Sequence, residues 1–124
     1  MADKIRHFTD LRAWQEGHTL VLAVYKVTKD FPKEELFGLT NQIRRAVVSV
    51  TSNIAEGFTR YSSKEKNQFY FVCLGSLAEV QNQLLIAKDL NYINKFDYQK
   101  IFEITIEISK MVNGLIKGNS TRNS

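Results

Sequence analysis

A chain of 124 residues, 44% hydrophobic and 24% charged, is sized for one domain with its own buried core. It holds no apolar run near the roughly 18 residues that would mark a membrane span. A formal charge of +4 and a pI near 9.2 make it mildly basic, which favours attraction to phosphate backbones without specifying it. Met1 to Arg12 alternates charged and apolar residues and reads as no signal peptide. The single cysteine, Cys73, leaves no internal disulfide, so a cytoplasmic protein is expected. One proline and six glycines mark few turns, so a few long elements are expected.

Residues 1–9 read as a short N-terminal arm. Thr9 or Asp10 can cap a first helix running to about Asp30. Leu11, Trp14, His18, Val21, Tyr25 and Thr28 form one seam at steps of three and four, and Leu20, Val24, Val27 and Phe31 form another beside it. Two seams predict a helix wedged between neighbours or one that also meets another subunit. Phe31-Pro32 ends it.

A second helix follows, with Thr40 as the expected cap or Gly38 and Leu39 already inside it. Ile43, Val47 or Ala46, Val50, Ile54 and Phe58 mark its core face, Arg44 and Arg45 make the far side positive, and Glu56 stands four residues before Arg60. Gly57 is expected to loosen its end. The third helix has the clearest start, a capping box in which Ser62 and Glu65 each satisfy the other's backbone donor. Its main seam is Phe69, Cys73 with Val72, Ser76, Val80, Leu84 and Ala87, flanked by Phe71, Leu74, Ala78 and Leu85. Gly75 and Ser76 predict the close approach of a neighbouring helix.

Asn94 is the expected cap of a fourth helix with Asp97 in its first turn. Phe102, Ile104, Ile106 and Ile108 alternate as in a strand, but Ile101, Ile104, Ile108, Met111 and Leu115 keep helical spacing over the whole segment, so a helix to about Lys117 is expected. Gly118 is the expected stop, with residues 118–124 a disordered tail. Four long helices with short connections predict an all-α, antiparallel up-down-up-down four-helix bundle over residues 10–117.

Gly38-Leu39-Thr40-x-Gln42-Ile43-Arg44-Arg45-Ala46, then Ser49-Val50-x-x-Asn53-Ile54-Ala55-Glu56-Gly57 and Arg60, resembles the signature of the bacterial four-helix-bundle proteins encoded in intervening sequences of 23S rRNA genes. Leu11-x-x-Trp14-Gln15, Phe31-Pro32, Gly75-Ser76-Leu77-x-Glu79 and Gln83-Leu84 extend the likeness over roughly Phe8 to Lys117. One departure is Thr51, where many members carry proline. The resemblance implies a helical bundle. A relative of that family, the accessory subunit of diversity-generating retroelements, forms a homopentamer and engages a reverse transcriptase and nucleic acid. A homo-oligomer, with five copies as the suggested number, and a nucleic-acid or nucleic-acid-enzyme partner are therefore implied here.

No catalytic constellation accompanies these motifs. Neither His7 nor His18 follows a glutamate at the spacing of a bundle di-metal site, and His18 is expected to be a hydrogen-bonded structural histidine. Cys73, Ser49 and Ser52 lack a base at helical spacing, and no phosphate-binding glycine loop is present. No metal, cofactor, membrane or small-molecule substrate is implied, and a non-enzymatic protein is expected.

Two readings of the polar residues stay open. Arg44 and Arg45 with Arg60, Lys64 and Lys66 can form a basic surface for RNA or DNA, with Phe58 and Tyr61 placed to stack on bases. Alternatively, arginine tied to Glu56 or to helix C-terminal carbonyls forms a structural network within or between subunits. Trp14, Tyr25, Arg45, Asn53, Glu56 and Phe69 are candidates for that network or for an oligomer interface. A protein-only assembly module, with incidental basic charge, is the competing function.

Overall fold

The computed structural model describes residues 4–122, with side chains as far as Ser120. It holds four α-helices: α1 (Arg12–Thr28), α2 (Leu39–Thr59), α3 (Ser63–Asp89) and α4 (Lys95–Arg122). Two 3-10 turns, Phe8–Asp10 and Lys33–Glu35, precede α1 and α2, and no strand occurs among the described residues. Sequence neighbours pack as spatial neighbours, and α4 closes against α1, giving the expected antiparallel bundle. The strand-like alternation at 102–108 lies inside α4, where Ile101, Thr105, Ile108 and Val112 are buried at steps of four, three and four.

Each helix settles its rotation by burying one narrow stripe. In α1 the stripe is Ala13, Gly17, Leu20, Val24 and Thr28, continued by Phe31, so the Leu20 seam faces the core. The Trp14 seam turns toward the solvent-facing rim, with Tyr25 39% exposed. Gly17 lets α1 approach α2 closely, since a Cβ there would stand 3.0 Å from Thr51 Cγ2. α2 buries Ile43, Ala46, Val47, Val50, Ile54 and Gly57. In α3 the stripe is Tyr70, Cys73, Ser76, Leu77, Val80, Leu84 and Ala87. Phe71, Ala78 and Leu85 of the expected flanking seam are exposed, as is Val72 of the main one, while Leu74 packs half-buried against the core.

The caps hold in part. Ser62 Oγ accepts from Glu65 N at 3.1 Å and donates to the Glu65 carboxylate at 3.1 Å, so the reciprocal bond ends on the hydroxyl rather than on the Ser62 amide. Asn94 Oδ1 accepts from Asp97 N at 2.7 Å, as expected. Thr9 and Asp10 do not cap α1. They are drawn into the 3-10 turn, where Asp10 Oδ2 accepts from the amides of Arg6 and His7, each at 3.0 Å. These bonds hold the Asp10 carboxyl below its ordinary value. Thr40 does not cap α2 either, being buried there with its hydroxyl unpaired. Glu35 Oε1 serves instead, accepting from Leu39 N at 3.2 Å.

Two glycine expectations and the tail are corrected. Gly57 does not loosen α2; it is buried against Tyr70. Gly75 has open space where a Cβ would stand, and only its neighbour Ser76 meets α2. α4 runs through Gly118, which has no positive φ, to Arg122. Asn119 is buried, donating to Asn67 Oδ1 at 2.9 Å, and this bond to α3 carries the helix past the expected stop at Lys117. Residues 1–3 of the expected arm and 123–124 of the expected tail lie outside the described residues.

Candidate functional site

Arg44 and Arg45 are adjacent in sequence but about 100° apart around α2, and the bundle separates their fates. Arg44 leans toward α1, where its Nε donates to Thr28 Oγ1 at 2.8 Å and its Cζ lies 4.8 Å from the centre of the Tyr25 ring. Thr28 is the last residue of α1, so the guanidinium rests at the negative end of that helix dipole. Thr28 in turn donates to Val24 O at 2.7 Å, which fixes the hydroxyl's lone pairs toward the arginine. Arg45 is exposed and makes no ion pair among the described residues.

These residues border an open cleft of about 590 Å³, lined by Asn41, Arg44, Arg45, Val48, Ser49 and Ser52 of α2 and by Tyr25 of α1. No carboxylate lines it, so the two guanidiniums are uncompensated there. On the other side of α2, toward α3, a groove of about 410 Å³ shares Asn41, Arg45 and Ser49 and adds Glu79 and Gln83.

The middle of α2 carries a short polar seam. Ser49 Oγ lies 2.8 Å from Ser76 Oγ on α3, and Asn53 Nδ2 donates to Ser49 Oγ at 3.0 Å and to Ser49 O at 2.8 Å. Asn53 thus bonds within α2, and the link to α3 is made by the Ser49 hydroxyl that it supports. On α3, Cys73 is fully buried, and burial pushes its thiol up to about 12, which suits packing rather than nucleophilic attack.

The far end of α2 gathers the remaining candidates. Glu56 and Arg60 pair at 3.7 Å on the surface, with Arg60 Cζ 4.6 Å above the Phe69 ring. Lys66 Nζ donates to Phe58 O at 2.7 Å, so a lysine, not an arginine, holds the C-terminal carbonyl of α2. Lys64 is exposed, and Tyr61 in the α2–α3 turn stands clear of the fold at 101% exposure. Helix direction brings the start of α1 and the end of α4 to this same end, which therefore carries Arg6, Arg12, Arg60, Lys64, Lys66 and Lys117 against Asp10, Glu56 and Glu65. Trp14 sits near it, half-buried, stacked on His18 at 4.9 Å and edge-on to Phe8 at 5.4 Å. His18 is exposed and held by that stack, not by the hydrogen bond expected of it.

The expected residues therefore divide into three neighbourhoods: Tyr25, Arg44 and Arg45 at the α1–α2 cleft, Asn53 at mid-bundle, and Glu56, Arg60, Lys64, Lys66 and Phe69 at the far end. Arg44 is not tied to Glu56, twelve residues or about 18 Å along the same helix. Sequence reasoning missed Thr28 as Arg44's partner and Ser49–Ser76 as a bond, because both partners lie on other helices. Among the described residues no three His, Cys, Asp or Glu side chains group as a metal site, and no helix is long and apolar enough to cross a membrane.

Comparison with known proteins adds a family. The model of the 23S rRNA-intervening sequence protein family matches residues 9–114. Among solved structures, a protein of unknown function of the S23 ribosomal protein family from Bacteroides thetaiotaomicron superposes with a TM-score of 0.78 at 22% identity, over 85% of this chain and 95% of its own. No curated protein matches in sequence.

Proposed function

The chain belongs to the 23S rRNA-intervening sequence protein family, and from that membership we propose that it is a non-enzymatic helical scaffold that assembles with its own copies and binds RNA or DNA. The carrying observation is the combination found at the Tyr61 end, where cations outnumber carboxylates beside a fully exposed aromatic ring. Phosphates are drawn to such an end, and the fully exposed Tyr61 ring offers a face on which a base can stack.

Assembly is supported by the outward face of α3. Phe71 and Val72 near its start, and Leu85, Ile86 and the capping Leu90 at its end, are each 39% exposed or more. They form two apolar patches on one face, separated by the exposed Gly75, Ala78, Glu79 and Asn82, and exposed apolar patches of this kind mark association. Five copies is the number the family resemblance suggests, and a nucleic-acid enzyme such as a reverse transcriptase is the partner class it suggests. The same patches also favour the second reading, a protein-only assembly module.

Fluorescence anisotropy with a labelled single-stranded oligonucleotide separates the two. Replacing Arg60 and Lys64 with Gln and Tyr61 with Ala weakens binding and flattens its dependence on salt under the proposal. Unchanged binding, or no binding by the native protein at low salt, leaves only the assembly module.

A further inference from the structure

The cleft between α1 and α2 is not used by that reading. It opens near the other end of α2, on the order of 22 Å from Arg60 at 1.5 Å per residue. We propose that it is a subsite for one nucleoside monophosphate unit, with the base laid against the Arg44–Tyr25 pair and the phosphate taken by Arg45.

Three observations converge on that ligand. The first is preorganisation. Arg44 donates through Nε to Thr28 and is stacked at 4.8 Å over Tyr25, so its plane is fixed while its terminal nitrogens have no partner among the described residues. A guanidinium plane backed by an aromatic ring is a surface on which a base stacks, and ordering it beforehand lowers the entropic cost of binding. The second is charge. Arg45 borders the same cleft without an ion pair among the described residues, and the cleft itself is lined by two guanidiniums and no carboxylate, Glu79 lying in the adjoining groove on the α3 side. The third is texture. The exposed parts of Val48 and Tyr25 supply apolar surface beside the guanidiniums, while Asn41 and Ser52 supply hydrogen-bonding groups, the mixture a base with its sugar and phosphate requires. The unit can be a free nucleotide or one residue of a strand, since both present the same base and phosphate.

The test is titration of the full chain with AMP, adenosine, inorganic phosphate and a short oligoadenylate, followed by amide chemical shifts. AMP is expected to shift Tyr25, Asn41, Val48 and Ser52, and to bind more tightly than adenosine or phosphate alone. Arg45→Gln, which removes no ion pair among the described residues, is expected to weaken AMP at least about tenfold. Arg44→Lys, which keeps the charge and loses the plane, is expected to weaken AMP while leaving phosphate unchanged. Oligoadenylate binding tighter than AMP, with the same dependence on Arg45, identifies a strand as the source; AMP binding as tightly as the oligomer identifies a free nucleotide. The proposal is overturned by the absence of any AMP shift up to about 10 mM, or by phosphate binding as well as AMP. Shifts confined to residues 60–66, AMP affinity indifferent to Arg45, or dissociation of an oligomer by Arg45→Gln overturn it equally. Loss of the cleft site with retained dependence of strand binding on Arg60, Lys64 and Tyr61 leaves the scaffold reading standing.

Discussion

Gly57 lies against the ring of Tyr70 so closely that a Cβ on the glycine would stand 2.7 Å from Tyr70 Cε1 and 3.2 Å from the carbonyl oxygen of Lys66. The contact closes the α2–α3 corner beneath the basic end. Gly57→Ala adds helix propensity but forces the buried ring or the α3 backbone to move. A net loss of about 1–3 kcal/mol is expected, read as a lower chemical-denaturation midpoint. A neutral or stabilising result would show that the corner gives way without strain.

The Ser49–Ser76 bond predicts an asymmetry. Ser76→Ala leaves the Ser49 hydroxyl bonded to Asn53, so a loss of roughly 0.5–1.5 kcal/mol is expected. Ser49→Ala leaves the buried Ser76 hydroxyl without its partner and should cost more, about 1–3 kcal/mol. The double variant should lose less than the sum, because the second substitution removes the stranded hydroxyl. Additive losses would deny that the two groups are coupled.

Cys73 gives a pH dependence with a definite sign. Burial raises its folded value from 9.0 to about 12, so between those values the unfolded chain releases a proton that the folded chain keeps. Stability contributed by the neutral thiol is fully present below about pH 9 and is lost as pH rises toward 12. Urea melts of the native chain should therefore show a steeper alkaline decline than those of Cys73→Ala. Iodoacetamide at pH 8 should leave the native thiol unmodified and label it in urea.

Assembly through α3 is tested by charge. Replacing Phe71 and Leu85 together with Glu places carboxylates on the outward patches without entering the core, since both side chains are exposed. Light scattering at micromolar concentration is expected to fall from a multiple of 14.3 kDa to 14.3 kDa itself, with helical circular dichroism retained. A native mass of 14.3 kDa, or a multiple unaffected by the substitutions, removes α3 as the interface.

The elements that sequence foretold best are those decided locally. The caps at Ser62 and Asn94 join residues three apart, and the helices follow spacings contained within one segment. What sequence left open was rotation. α1 offered two seams, and only packing against α2 and α4 chose the Leu20 seam; Arg44 and Arg45 differ by a single step, yet one is fastened to α1 and the other faces solvent. Gly57 and Gly118 were misread for the same reason. Their settings depend on Tyr70, across a turn, and on Asn67, about fifty residues earlier than the bond it receives from Asn119.

That amide bridge has an experimental consequence. Asn67 bonds to Asn119 at 2.9 Å and reaches Ile116 O and Ser120 Oγ at 3.5 Å and 3.4 Å, all neutral groups. Dissolved ions screen charges and leave neutral hydrogen bonds nearly untouched. The Asn67–Asn119 bridge should therefore persist through the same sodium chloride series that strips phosphates from Arg60 and Lys64, so the end of α4 stays docked on α3 while the ligand is released.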